Sequence, residues 1–317
     1  MSYNRRTFVK SVAAATAVLP FSGTFASEAA KISQKKYPVA FFTKALDNYE
    51  LAFMAETLSM AGVDGLDLAV RPKGRVEPER VADDLGAVIE TGKKFNLITE
   101  MMVTAVTDAS DVLTENLLRT ASKLGVKHYR LGYYDYDYKV GISESLKTIQ
   151  KSVELLAHLN KEIGIQGGYQ NHSGIKFGAP SWDLWKLIQN IPPEWMSSQF
   201  DVRHAVTEGA SSWILALRLL GKNIGSLAIK DFTWQLKGRK AQVLSVPLGE
   251  GIVDFDLYFR TIKELNIDVP ITLHVEYPLL SPEEEKLTLI EKQKILVQKI
   301  KKDVGFIRTQ LNKNHLI

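Results

Sequence analysis

From residue 37 onward, short apolar runs alternate with longer amphipathic stretches. Residues 37–42, 63–70, 97–106, 127–132, 165–174, 197–205, 224–232 and 269–277 contain runs with the length and composition of strands, several of them closing on a burst of polar residues. Residues 50–61, 78–95, 113–124, 143–163, 180–188, 211–220 and 254–265 read as helices, with Val81, Leu85, Val88 and Ile89 on one apolar face. Gly62, Gly125 and Gly164 stand as stop residues behind three of them. A last helix opens on Ser281-Pro282-Glu283-Glu284, a capping box with proline at the first helical position, and continues as a lysine-rich, solvated segment to about residue 312.

Strand and helix alternate eight times, which predicts a parallel α/β sheet with right-handed crossovers, closed as a (β/α)8 TIM barrel. No composition shift divides residues 37–317, so a single barrel domain with a C-terminal helix is expected. The first strand-to-helix turn lacks G-x-G-x-x-G, which argues against a dinucleotide fold and a nucleotide cofactor.

The start of the chain adds a destination. Asn4-Arg5-Arg6-Thr7-Phe8-Val9-Lys10 reads as a twin-arginine export signal, followed by an apolar run over 11–21 and the small cleavage-site residues of Thr24-Phe25-Ala26. That run is shorter than the ~20 residues needed to span a bilayer. The expectation is a signal peptide over 1–26 with Ala26 the last residue removed, a linker over 27–36, and a periplasmic protein without a membrane segment after processing. The formal charge of +4 falls to +1 once Arg5, Arg6 and Lys10 leave, a balance that points to neither nucleic acid nor a membrane surface. With no cysteine, disulfides and thiolate ligands are excluded.

Candidate chemistry gathers at strand ends. Side chains alternate along a strand, so Gln170 and His172 share a face, as do His274 and Glu276. Asp201 and His204 close the sixth strand, and Lys230 and Asp231 the seventh. Four strand ends therefore bring Gln, His, Asp, Lys and Glu to one barrel mouth, where TIM barrels build active sites. Each has a structural alternative: a strand-end Asp caps the next helix, a His is satisfied in the core, and Lys230 pairs with a neighbour such as Asp231.

Tyr169-Gln170-Asn171-His172, Asp201-Val202-Arg203-His204-Ala205, Ile229-Lys230-Asp231-Phe232 and Glu276-Tyr277-Pro278 resemble, in order, the strand-end motifs of the sugar phosphate isomerase/epimerase, or xylose isomerase-like, barrels. The likeness spans nearly all of the chain behind the leader. It implies an enzyme that moves a proton next to a sugar carbonyl, often with one divalent metal ion (Mn, Mg, Co or Zn) held by Glu, Asp, His and Glu from strands five to eight. Asp201 matches the ligand Asp, Glu276 the final Glu, and His204 the His that touches substrate. Gln170 stands in place of the first Glu, and Ala228 where many members carry a His. The metal set implied here is Gln170, Asp201 and Glu276, with His274, His172 or Glu100 as substitutes. Glu276 is the expected base, His204 the polariser or proton relay, and Lys230 a source of positive charge. His172, Arg203, Tyr133, Trp182, Trp234 and His274 are the expected substrate contacts; Trp182, Trp234, Tyr133 and Tyr134 would stack on sugar faces or else pack the rim. A periplasmic location favours an unphosphorylated sugar, keto-sugar or glycoside. Isomerisation or epimerisation is expected, with β-elimination on a 3-keto-glycoside (a lyase or dehydratase) and non-catalytic sugar binding as alternatives.

Overall fold

In the computed structural model, residues 36–317 are described. The twin-arginine segment, its cleavage site and nearly all of the 27–36 linker lie outside them. The strands, in chain order, are β1 (Val39–Phe42), β2 (Gly65–Ala69), β3 (Ile98–Val103), β4 (His128–Arg130), β5 (Gln166–Gln170), β6 (Met196–Asp201), β7 (Ile224–Ile229), β8 (Asp231–Lys237), β9 (Lys240–Val246) and β10 (Ile271–Leu273). Strands β1 to β7 pair successively and in parallel, and β10 closes the circle between β7 and β1, with Ile271 opposite both Val39 and Leu227. The fold is the eight-stranded α/β barrel that the alternation predicts. Strands covered on both faces read as continuous apolar runs: every residue of β1 and β7 is buried.

The helices are α1 (Leu51–Met60), α2 (Val81–Lys94), α3 (Val112–Lys123), α4 (Ile142–Ile163), α5 (Ser181–Ile188), α6 (Val202–Gly209), α7 (Trp213–Leu220), α8 (Phe255–Glu264) and α9 (Leu289–Lys313). The main core lies between barrel and helices, with Phe41, Leu66, Leu118, Leu184, Phe200, Tyr258 and Ile307 fully enclosed or nearly so. Gly164 ends α4 in the left-handed conformation, at φ 77°, which its lack of a Cβ allows. Among the described residues no helix is long and apolar enough to cross a membrane.

Three local departures from the sequence expectation have physical causes. Residues 202–209 form a helix of their own, because Asp201 turns its carboxylate back to accept the His204 N–H at 3.1 Å and caps α6 directly at the strand end. Behind β7 the chain does not run straight to α8. It forms the antiparallel hairpin β8–β9, in which Lys237 faces Lys240 across a Gly238-Arg239 turn with Gly238 at φ 65°. The Ser281/Glu284 box does form, through Ser281 N–H to Glu284 (2.7 Å) and Glu284 N–H to Ser281 Oγ (3.2 Å), but it closes a single 3-10 turn. The long C-terminal helix starts later, on a second capping box made by Thr288 and Glu291.

Candidate active site

Gln170, Asp201, Lys230 and Glu276 come from β5, β6, the end of β7 and the loop behind β10, and they meet at the C-terminal mouth. Lys230 is the hub. Its Nζ lies 2.9 Å from Asp201 Oδ2, 2.8 Å from Glu276 Oε1 and 3.1 Å from His204 Nε2. Asp201 Oδ2 also accepts from Gln170 Nε2 at 2.7 Å, so one carboxylate oxygen serves two donors while the other caps α6. Asp201 therefore fills its structural role and its site role together. Lys230 pairs with these carboxylates and not with Asp231, whose side chain turns away to four backbone N–H groups, those of Phe232, Gly249, Gly251 and Val253.

Arg203 is buried, and its Nη2 donates to Glu276 Oε2 at 2.7 Å. Glu276 is thus held on both oxygens, yet 35% of its side chain remains exposed, whereas Asp201 and Lys230 are sealed. His204 is pinned by Ser173, whose backbone N–H reaches Nδ1 at 3.0 Å and whose Oγ lies 2.8 Å from the same atom. His172 lies over the His204 ring at 3.9 Å, with Tyr133 edge-on to it at 5.0 Å.

Burial by itself would raise both carboxylates. For Asp201 the charges of Lys230 and Arg203 outweigh it and hold the group below the usual range. For Glu276 the same two cations win more clearly and pull it to about 2. His204 moves the other way: burial, then Lys230 and Arg203, push it well below the ordinary histidine value and keep it neutral. Burial pushes the Tyr133 hydroxyl up to about 12, so it stays protonated and donates to Gln170 Oε1.

Other expected contacts fall elsewhere. His274 is buried in the barrel with its ring 4.6 Å from Phe42 and its Nε2 3.6 Å from Asp67, and it makes no bond to the Lys230 cluster. Trp182, at the start of α5, and Trp234, on the hairpin edge-on to Phe232, are 61% and 46% exposed, and neither is bonded into the cluster. Glu100 pairs with Lys127 just ahead of β4, at the opposite end of the strands, and can rescue nothing at the mouth. Arg130 and Arg71 were not anticipated. Arg130 closes β4, is buried, and donates through Nη1 to Gln170 Oε1 and to the Tyr133 hydroxyl, both at 2.9 Å. Arg71, just past β2, lies 5.5 Å over the Phe42 ring. The signal was positional: both are basic residues at C-terminal strand ends, where a barrel places its chemistry.

A divalent metal does not fit this donor set. Both oxygens of Asp201 and of Glu276 and the carbonyl oxygen of Gln170 already accept from Lys230, Arg203, Gln170, Arg130, Tyr133 or the α6 backbone. A hard cation needs such oxygens for itself. Ala228, buried in β7, brings only a methyl group. Among the described residues no three His, Cys, Asp or Glu side chains are grouped to hold a metal ion. The expected ligands Gln170, Asp201 and Glu276 are together, but their donor atoms are taken.

The pattern of the xylose isomerase-like TIM barrel family matches residues 105–296, more than half of the chain. The chain belongs to that family. A Haemophilus influenzae protein carrying the provisional name L-ribulose-5-phosphate 3-epimerase SgbU is 25% identical over 195 residues, which cover 60% of this chain and 65% of that protein's length. Among solved structures, D-allulose 3-epimerase from Methylomonas sp. in complex with D-allulose superposes with a TM-score of 0.63 at 16% identity, covering 87% of this chain and 98% of that one. The 3-keto-D-glucoside 4-epimerase YcjR of E. coli gives 0.62 at 13%, covering 86% and 100%. At these identities the structural likeness establishes the shared barrel.

Proposed function

We propose that this barrel takes a proton from the carbon next to the carbonyl of an unphosphorylated sugar or keto-sugar, as a sugar isomerase or epimerase does. The observation that carries it is Glu276: the partly exposed acid of the cluster, held by the ammonium of Lys230 and the guanidinium of Arg203. In the resting site those cations make Glu276 a weak base. A substrate carbonyl oxygen that takes over the Lys230 N–H does two things at once. It gains a hydrogen bond that strengthens as the enolate forms, and it strips Glu276 of the partner that lowered its basicity. Neutral His204 sits beside both groups and can relay the proton. All three relatives are named as sugar epimerases, and two of them, a D-allulose 3-epimerase and a 3-keto-D-glucoside 4-epimerase, support an unphosphorylated substrate, while the third is named for a sugar phosphate.

Gln170 favours β-elimination as the second reading. Exchange of a proton between opposite faces of a carbon requires an acid–base group on each, and an amide cannot carry a proton in that way. One base suffices to start an elimination from a 3-keto-glycoside. We also propose export by the twin-arginine route, which Asn4-Arg5-Arg6-Thr7-Phe8 supports and which substitution of Arg5 and Arg6 by Lys, followed by cell fractionation, tests.

Incubation with free ketoses and with 3-keto-glycosides in deuterated water separates the outcomes. An epimer or isomer labelled at the carbon beside the carbonyl supports the first reading, and release of the aglycone the second. Binding without label in either substrate class overturns both and leaves a sugar-binding protein.

A further inference from the structure

The Lys230 ammonium donates to an Asp and a Glu and lies against the Nε2 of a His, all within 3.1 Å, and the side chain is 4% exposed. Carboxylates and imidazole are the donors that otherwise collect around a divalent ion. Here they surround a compact charge tethered to β7. The neighbouring positions agree with that occupant. Gln170 turns its amide N–H, not a charge, toward Asp201. Ala228, two residues before Lys230 and therefore on the same strand face, leaves a methyl where a ligand would compete. The site is already rich in positive charge: two carboxylates, Asp201 and Glu276, face Lys230 and Arg203, and the buried guanidinium of Arg130 adjoins them through Gln170. Adding a divalent ion would leave an uncompensated double positive charge in a largely buried site, which is costly.

We infer that Lys230 is the resident cation of this barrel, occupying the place of a metal ion, and that the chain works without a divalent metal. The inference concerns the site and holds whichever carbonyl reaction the site performs. A tethered ammonium cannot be stripped by a chelator. It also presents directional N–H groups to a developing oxyanion, where an ion would present an open coordination position.

The test is manganese binding by the purified full-length protein, read by calorimetry and by elemental analysis after gel filtration, so that it stands apart from any activity. The wild-type chain is expected to retain no stoichiometric Mn2+. Lys230→Ala, which vacates Asp201, Glu276 and His204, is expected to gain a site, and adding Gln170→Glu and Ala228→His to tighten it by roughly tenfold or more. One tightly held equivalent in the wild-type protein, lost in Glu276→Gln, overturns the inference. So does a Lys230→Ala protein that folds, by circular dichroism, and still binds no Mn2+. If the substituted chains do not fold, the wild-type titration decides alone.

Discussion

Lys230 and Asp231 are adjacent, charged and buried, and their surroundings could hardly differ more. Strand alternation sends Lys230 into the barrel mouth, where its partners are the side chains of Asp201, His204 and Glu276. Asp231 is turned instead into a socket of four backbone N–H groups, from Phe232, Gly249, Gly251 and Val253, at 2.8 to 3.2 Å. Even with those four donors, burial leaves Asp231 raised above the usual carboxylate range, while the two cations beside Glu276 take that group down to about 2. Side-chain partners can be exchanged for the oxygen of a ligand; backbone partners cannot be exchanged without moving the loop that supplies them. One cluster is therefore built to be rearranged. The other ties the 247–253 loop to the hairpin base.

The contrast is broken most severely at its hub. Lys230→Met leaves the sealed carboxylate of Asp201 without its cation, and a loss of about 3–5 kcal/mol in urea unfolding is expected. Turnover should fall by roughly 10³-fold as the positive charge facing the substrate oxygen disappears.

Glu276→Gln separates chemistry from architecture. The expected loss is about 10²- to 10⁴-fold in kcat, with a smaller loss of stability than in Lys230→Met, because the Glu276 side chain is partly exposed and Lys230 keeps Asp201. In the wild-type protein, the kcat/KM profile should show no acid limb near the ordinary glutamate value, because Glu276 is already ionised down to about 2. A limb there that disappears in Glu276→Gln would contradict the ion-paired resting state.

On the socket side the sign of the experiment reverses. Asp231→Ala removes the acceptor of four N–H groups and should cost about 3 kcal/mol of stability, with kcat of the folded protein within a few-fold of wild type. Gly251→Ala approaches the same socket from its other wall, since an added Cβ would stand 2.1 Å from Asp231 Oδ1 and 2.3 Å from the Phe232 carbonyl oxygen. It should destabilise by about 1–3 kcal/mol. Equal kcat losses in these variants and in Lys230→Met would erase the distinction.

The smallest effect is a pH dependence. Asp303, in α9, accepts the Leu248 N–H at 3.1 Å and the Tyr277 hydroxyl at 2.8 Å, and burial lifts its carboxyl to about 6. A carboxyl raised in the fold binds its proton more tightly there than in the unfolded chain, so stability falls as pH rises from about 4 to 6. The drop should be about 2 kcal/mol, measured by urea unfolding across that range, and Asp303→Asn should flatten it.

Much of the barrel was legible because its strands are continuous apolar runs and its helices have amphipathic periods; the Gly164 stop is a local property of one residue type. Gln170, Asp201, Lys230 and Glu276 were legible because a barrel puts strand C-termini on one rim. The hairpin was not, although Gly238-Arg239 carries a turn signal, because Phe232 reads as a continuation of β7. Helix α6 was hidden by Val202 and Ala205, which extend the apolar run of β6 until the Asp201 cap diverts the chain. Arg130 escaped notice because a single arginine closing a short strand has no local mark. Its importance lies in Gln170, forty residues away.

By itself, the sequence determined the number and order of the barrel strands, their common polarity and the side chains delivered to the rim, since these follow from periodicity and strand alternation. The three-dimensional fold decided who pairs with whom. Glu276 is bound to Arg203 across 73 residues and to Lys230 across 46, and that choice, invisible in any window of sequence, sets the basicity of the acid and fills the place where a metal ion would sit. The physical reason is range: strand and helix preferences act between near neighbours, whereas a buried charge must find its partner wherever the folded chain brings one within hydrogen-bonding distance.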